Sequence, residues 1–63
     1  MTHTEHDYIQ AGYRYEWASS PDAGRAHAEK IRAMLSNEHP ADKPECLRLI
    51  EQGRTEARTG ATA

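Results

Sequence analysis

The chain has no phenylalanine and no valine, a single cysteine (Cys46), and three leucines and three isoleucines in 63 residues. A domain this short buries only roughly 60% of the surface of its unfolded chain. Scarce bulky aliphatics on so short a chain exclude two domains and a large core. One cysteine excludes an intramolecular disulfide, and a lone thiol suits a reducing compartment. No apolar run reaches the length of a membrane span or of a signal sequence's hydrophobic segment, so a cytoplasmic protein is expected. An excess of one charge is also missing: eight Lys and Arg face ten Asp and Glu, for a net charge of -2. The basic footprint of a general nucleic-acid binder is therefore absent. So is the acidity of a DNA mimic. There is no glycine-rich phosphate loop, and the chain is too short to enclose a water-free pocket by itself, so no enzyme is expected.

Packing material comes from elsewhere. Trp17, Tyr8, Tyr13, Tyr15, Met34 and ten alanines supplement the aliphatics, and a low net charge argues against disorder. Small scaffolds without disulfides gain stability from a metal, from oligomerisation or from very close helix packing. The expected fold is all-α, a small bundle of three short helices completed by oligomerisation as a dimer or tetramer. A single helical domain should cover 1–58, with a disordered tail over 59–63.

Thr4-Glu5-His6-Asp7 has the form of a capping box and starts a first helix at Glu5, running to about Ala18. Ile9, Tyr13 and Trp17 share one stripe, Tyr8 and Tyr15 an adjoining one, with Gly12 between them and Asp7, Gln10 and Arg14 as a narrow polar strip. So wide an apolar arc implies more than one neighbour. Ser20-Pro21-Asp22 is a strong second start, with Ser as N-cap and Pro at the first helical position. From there Gly24, Ala28, Ile31 and Leu35 form a seam whose small residues admit a close neighbour, until the helix ends near Asn37, before the His39-Pro40 break. Asp42-Lys43-Pro44-Glu45 reads as another capping box, followed by Cys46, Leu47, Leu49 and Ile50 on the inner side and Gly53 as a candidate terminator, although Arg54-Thr55-Glu56-Ala57-Arg58 could continue the helix weakly.

Few side chains gather in a chemically suggestive way. His3, His6 and Asp7 resemble half a metal site, yet His27, His39 and Cys46 stand at no recognised zinc spacing from them, so neither metal nor cofactor is expected. Cys46, among Leu47, Leu49 and Ile50, reads as a core residue rather than a nucleophile. Four of the eight cations have an acidic neighbour three or four residues away, Arg25 and Arg32 about Glu29, and Arg48 and Arg54 beside Glu51. Arg14, Lys30 and Arg58 are among those that do not, and they are the ligand candidates. Four aromatic rings and Arg14 within ten residues can stack on a planar group while neutralising an anion. The candidate ligand-binding set is Tyr8, Gly12, Arg14, Tyr15 and Lys30, while Ile9, Tyr13 and Trp17 read as core.

A short chain of capped helices, with aromatics and arginine near its start and a Thr/Gly/Ala tail, resembles small phage-encoded accessory proteins. That resemblance implies one of two roles: an oligomeric sponge for a cyclic nucleotide signal, or an inhibitor that blocks a bacterial defence complex by protein contact. It carries no functional residue across. The leading expectation is a non-enzymatic homo-oligomer that sequesters a planar anionic ligand, such as a nucleotide, in counter-defence. The alternative is a protein-contact inhibitor or adaptor that docks its aromatic first helix on a host complex, since Tyr, Trp and Arg dominate interface hot spots. A helix-turn-helix reading is disfavoured by the four acids of the would-be recognition helix and by an overlong connection.

Overall fold

The computed structural model describes residues 2–60, which form three helices and no strand: α1 (Glu5–Glu16), α2 (Pro21–Ser36) and α3 (Lys43–Thr59). The protein is an all-α three-helix bundle. At α1 the capping box forms in full, with the Asp7 amide donating to Thr4 Oγ1 and the Thr4 amide donating to Asp7 Oδ2, both at 3.1 Å. Trp17 closes the helix, one residue short of the expected end at Ala18. Ser20 is extended, and its hydroxyl accepts from the Ala23 amide at 3.1 Å, which together with Pro21 starts α2 where the sequence places it. The capping box expected at Asp42 does not form. Asp42 has helical dihedrals (φ -90°, ψ -16°) and makes no side-chain cap bond, and α3 begins at Lys43 with Pro44 in its first turn.

Helix α3 passes Gly53, the candidate terminator, and takes the other course open to it, continuing through 54–58 to Thr59. Gly60 ends it in the left-handed conformation at φ 69°, where a side chain would be strained. Of the tail expected over 59–63, Thr59 is helical and Gly60 is the cap; residues 61–63 lie outside the described residues.

The bundle is a flattened slab of 30 × 26 × 14 Å with α1 in the middle, packed closely on α3 and more lightly on α2. The close contact is made by two glycines. A β-carbon on Gly12 would overlap the Ile50 carbonyl and lie 2.8 Å from its carbon, and one on Gly53 would do the same to the carbonyl of Ile9. Each helix thus seats the backbone of the other in the gap left by a missing side chain. Gly24, the expected seam residue, has space: a β-carbon there would meet only Ala18 Cβ, at 3.8 Å. The close seam lies between α1 and α3 instead.

The core consists of Tyr8, Ala11, Met34, Cys46, Leu49 and Ile50, with Ile9, Ile31 and Leu35 partly buried against it. On α1 the buried row is Tyr8, Ala11 and Gly12, whereas Trp17, expected in the core with Ile9 and Tyr13, is 60% exposed and stacks on Tyr13 with ring centroids 6.2 Å apart. The helix is rotated by the Gly12–Ile50 contact, which turns the Tyr8 side inward and leaves Trp17 outside. On α3, Cys46, Leu49, Ile50, Gly53 and Ala57 keep helical spacing and are buried. Leu47 falls off that row and is 53% exposed, contrary to its expected inward place.

Candidate functional site

Two of the five candidate ligand residues belong to the interior. Tyr8 is fully buried and its hydroxyl donates to the carboxylate of Glu38, itself only 6% exposed. The same carboxylate accepts from the Thr2 amide at 3.0 and 3.1 Å and from the Thr2 hydroxyl at 3.0 Å. Burial, then the Glu38 hydrogen bond, pushes the Tyr8 phenol above its ordinary range; the Tyr8 hydrogen bond holds Glu38 below the usual carboxylate range. Tyr8 therefore anchors the N-terminal segment to the end of α2 and offers no ring face to a ligand. Gly12 is occupied by the Ile50 backbone. Both are corrections to the expected site, and both follow from the rotation of α1.

Arg14 and Lys30 do converge. They line one opening of about 220 Å³ between α1 and α2, with His3, Asp7 and Gln10 as its other polar groups and Ala11 and Met34 as its apolar wall. Neither forms an ion pair among the described residues. The remaining arginine pairs are local or cross-helix: Arg25 with Asp22 at 4.0 Å, Arg48 with Glu45, and Arg54 with Glu16 at 3.0 Å and Glu51 at 3.6 Å. Arg58, expected to be unpaired, bonds Glu51 at 2.9 Å and reaches Glu16 at 3.7 Å, because α3 continues through Gly53 and carries it there. Asp7 is the one acid in the opening. The Thr4 backbone bond first, then the Thr4 hydroxyl, hold its carboxyl below the ordinary range, with the Thr4 amide donating to Oδ2.

Tyr15 lies elsewhere. It borders a groove of about 270 Å³ with Ala28, Ile31, Leu35 and Ile50, rimmed by Arg32 and Arg54. The Arg54 guanidinium sits 5.2 Å from the centroid of the Tyr15 ring, a cation–π contact within the chain. The expected Arg14–Tyr15 pair is thus divided between two surfaces.

His3, Asp7 and Gln10 are members of the site that the sequence reading left out of its ligand set. Their signal was present as the polar strip Asp7, Gln10, Arg14; what the strip faces depends on how α2 crosses it. Among the described residues no three His, Cys, Asp or Glu groups are placed to hold a metal ion, and no helix is long and apolar enough to cross a membrane. Comparison with known protein families, curated proteins and solved structures finds no match.

Proposed function

We propose that the chain is a non-enzymatic binding protein that captures a nucleotide-like anionic ligand in the opening between α1 and α2. The observation that supports this is the convergence of Arg14 and Lys30, far apart in sequence, on one opening with no carboxylate paired to either among the described residues. Two unpaired cations on one opening repel, and an anion bound there relieves that repulsion through charge-assisted hydrogen bonds. The roles implied by the resemblance to small phage proteins fit here: such a protein acts by sequestering its ligand, without turnover.

Titration of the full chain with a mononucleotide tests the reading. Arg14→Ala and Lys30→Ala should each weaken binding about tenfold or more while leaving helicity intact, the loss expected for one charge-assisted hydrogen bond. Unchanged affinity in both variants would sink the proposal.

Self-association is the second part of the reading, and α2 supports it. Met34 is the only buried residue of that helix, while Ala28, Ile31 and Leu35 border the open groove beside Tyr15 and Ile50. A second copy laid there would cover apolar surface that a 63-residue chain is too small to cover alone. Light scattering should show an oligomer that Leu35→Lys dissociates; a parent chain that is a folded monomer at micromolar concentration would rule it out. The protein-contact reading is favoured by one observation of its own, the exposed Trp17 stacked on Tyr13. In that case Trp17→Ala, and not Arg14→Ala, abolishes capture of the partner.

A further inference from the structure

We infer that Glu38 is the receptor for a free α-ammonium at Thr2, released when a peptidase hydrolyses the bond between Met1 and Thr2. Glu38 is the only buried charged residue among the described residues. Its donors there are all neutral: the Tyr8 hydroxyl, the Thr2 hydroxyl and the Thr2 amide. No described lysine, arginine or histidine bonds to it. A buried carboxylate is costly without a cation, and the position best placed to supply one is the Thr2 nitrogen.

That nitrogen lies 3.1 Å from Oε1 and 3.0 Å from Oε2 of the same carboxylate. An amide has one hydrogen, so a single donor is divided between two acceptors. An ammonium has three, one for each oxygen and one for water, and it adds the missing positive charge. Hydrolysis makes the change: the water oxygen goes to the Met1 carbonyl carbon, which leaves as a carboxylate, and both water hydrogens end on the Thr2 nitrogen. The bond to be cut is fixed by the place of that nitrogen, whatever length of chain precedes it. Glu38 lies 36 positions further on, so the bond stays open to a peptidase until the end of α2 has been synthesised.

The cut also bears on the α1–α2 opening. Thr2 adjoins His3, which lines that opening and sits edge-on to Tyr8 with ring centroids 5.8 Å apart. A firmer hold on Thr2 fixes this wall. The positive end of the α1 dipole opposes a cation at Thr2, so a net gain from the ammonium has to come from Glu38.

Thermal melts of two chains that both start at Thr2, one with a free amine and one N-acetylated, test the receptor. Acetylation restores the single amide hydrogen and removes the charge. At pH 7 the free-amine chain should melt about 4 °C or more above the acetylated one. A carboxylate partner raises the amine above its ordinary value of about 7.7–8.0, so the gain is complete below that value and is lost as pH rises through the folded one. The other titratable groups around the carboxylate are Tyr8, the Cys46 thiol that bonds Tyr8, and His3. They are common to both chains and cancel in the difference. Glu38→Gln should abolish the difference; if that variant does not fold, the loss of the difference at high pH decides. Equal melting at pH 7, or a difference that survives with the amine neutral or in Glu38→Gln, overturns the receptor. Intact mass of the full chain isolated from cells should show Thr2 as the first residue; retention of Met1 overturns the cut.

Discussion

Helix α1 touches both of its neighbours, and the two contacts are built on different principles. Against α3 it meets backbone with backbone, Gly12 over Ile50 and Gly53 over Ile9, with Leu49, Ile50 and Cys46 packed around the crossing. Against α2 it meets through side chains, Met34 buried and Ile31 and Leu35 partly buried, and an opening lined by charged groups remains between them. A contact made by main chain has one geometry; one made by long side chains tolerates adjustment. The rigid contact carries the fold, and the looser one leaves an opening.

The largest effect should come from filling the rigid contact. Gly12→Ala or Gly53→Ala puts a methyl into a carbonyl group that cannot move without displacing a helix, and should cost about 3 kcal/mol or more, the upper end of overpacking penalties. Urea denaturation of either variant measures it, and a loss under about 1 kcal/mol would mean that the two contacts are equally adaptable.

Acid should come next. Glu38 titrates below its ordinary range in the folded chain, chiefly through the Tyr8 hydroxyl, so the unfolded chain takes up its proton at a higher pH than the folded one. The stability it contributes is present above the ordinary carboxylate pKa and is lost as pH falls through the lowered folded value. Tyr8→Phe removes the largest cause of that shift, and should both destabilise the protein and flatten the acid limb of its stability profile. An acid limb as steep as the parent's would show that the Tyr8–Glu38 bond does not carry the dependence.

Smaller effects test the other side of the comparison. Trp17→Ala should cost less than about 1 kcal/mol, where a core tryptophan would cost roughly 3–5. Thermal melts distinguish the two readily. Gly24→Ala should stabilise by about 0.5–1 kcal/mol, since a methyl there meets only Ala18 Cβ at 3.8 Å and alanine is the better helix former. Destabilisation by Gly24→Ala would move the rigid contact back to α2.

Helix positions were legible because they are written in local chemistry. Thr4 with Asp7, and Ser20 with Pro21, announce their helices through side chains that bond amides three residues on. Asp42 has the same letters without the geometry, since its backbone is already helical. Which way α1 faces was not legible. The stripes Ile9/Tyr13/Trp17 and Tyr8/Ala11/Gly12 lie side by side, and hydrophobicity favours the first. The choice is made by a glycine on each of two helices, whose value appears only when they cross.

The candidate site shows the same division. Arg14 and Lys30 stood out because neither has an acid one helical turn away. Tyr8 and Gly12 were misplaced because an aromatic and a glycine near an arginine look alike whether they face solvent or core. Glu38 gave no signal at all: a glutamate becomes an interior residue only when Tyr8 and Thr2 supply donors to it.

The glycine crossing has a consequence for how the chain acquires its shape. It joins the first helix to the last, and the Glu16–Arg54 bond beside it spans 38 positions. A nascent chain exposing only α1 and α2 has no backbone notch to close, so the decisive docking waits until α3 has been synthesised. Helical proteins usually gain speed from short-range contacts, whereas here a long loop must close before the densest contact forms. Folding should therefore be slower than for a three-helix chain whose neighbours in sequence pack most tightly. Stopped-flow measurements on Ile50→Val and Leu35→Ala show which docking limits the rate: if the transition state is the α1–α3 closure, the first slows folding and the second mainly speeds unfolding.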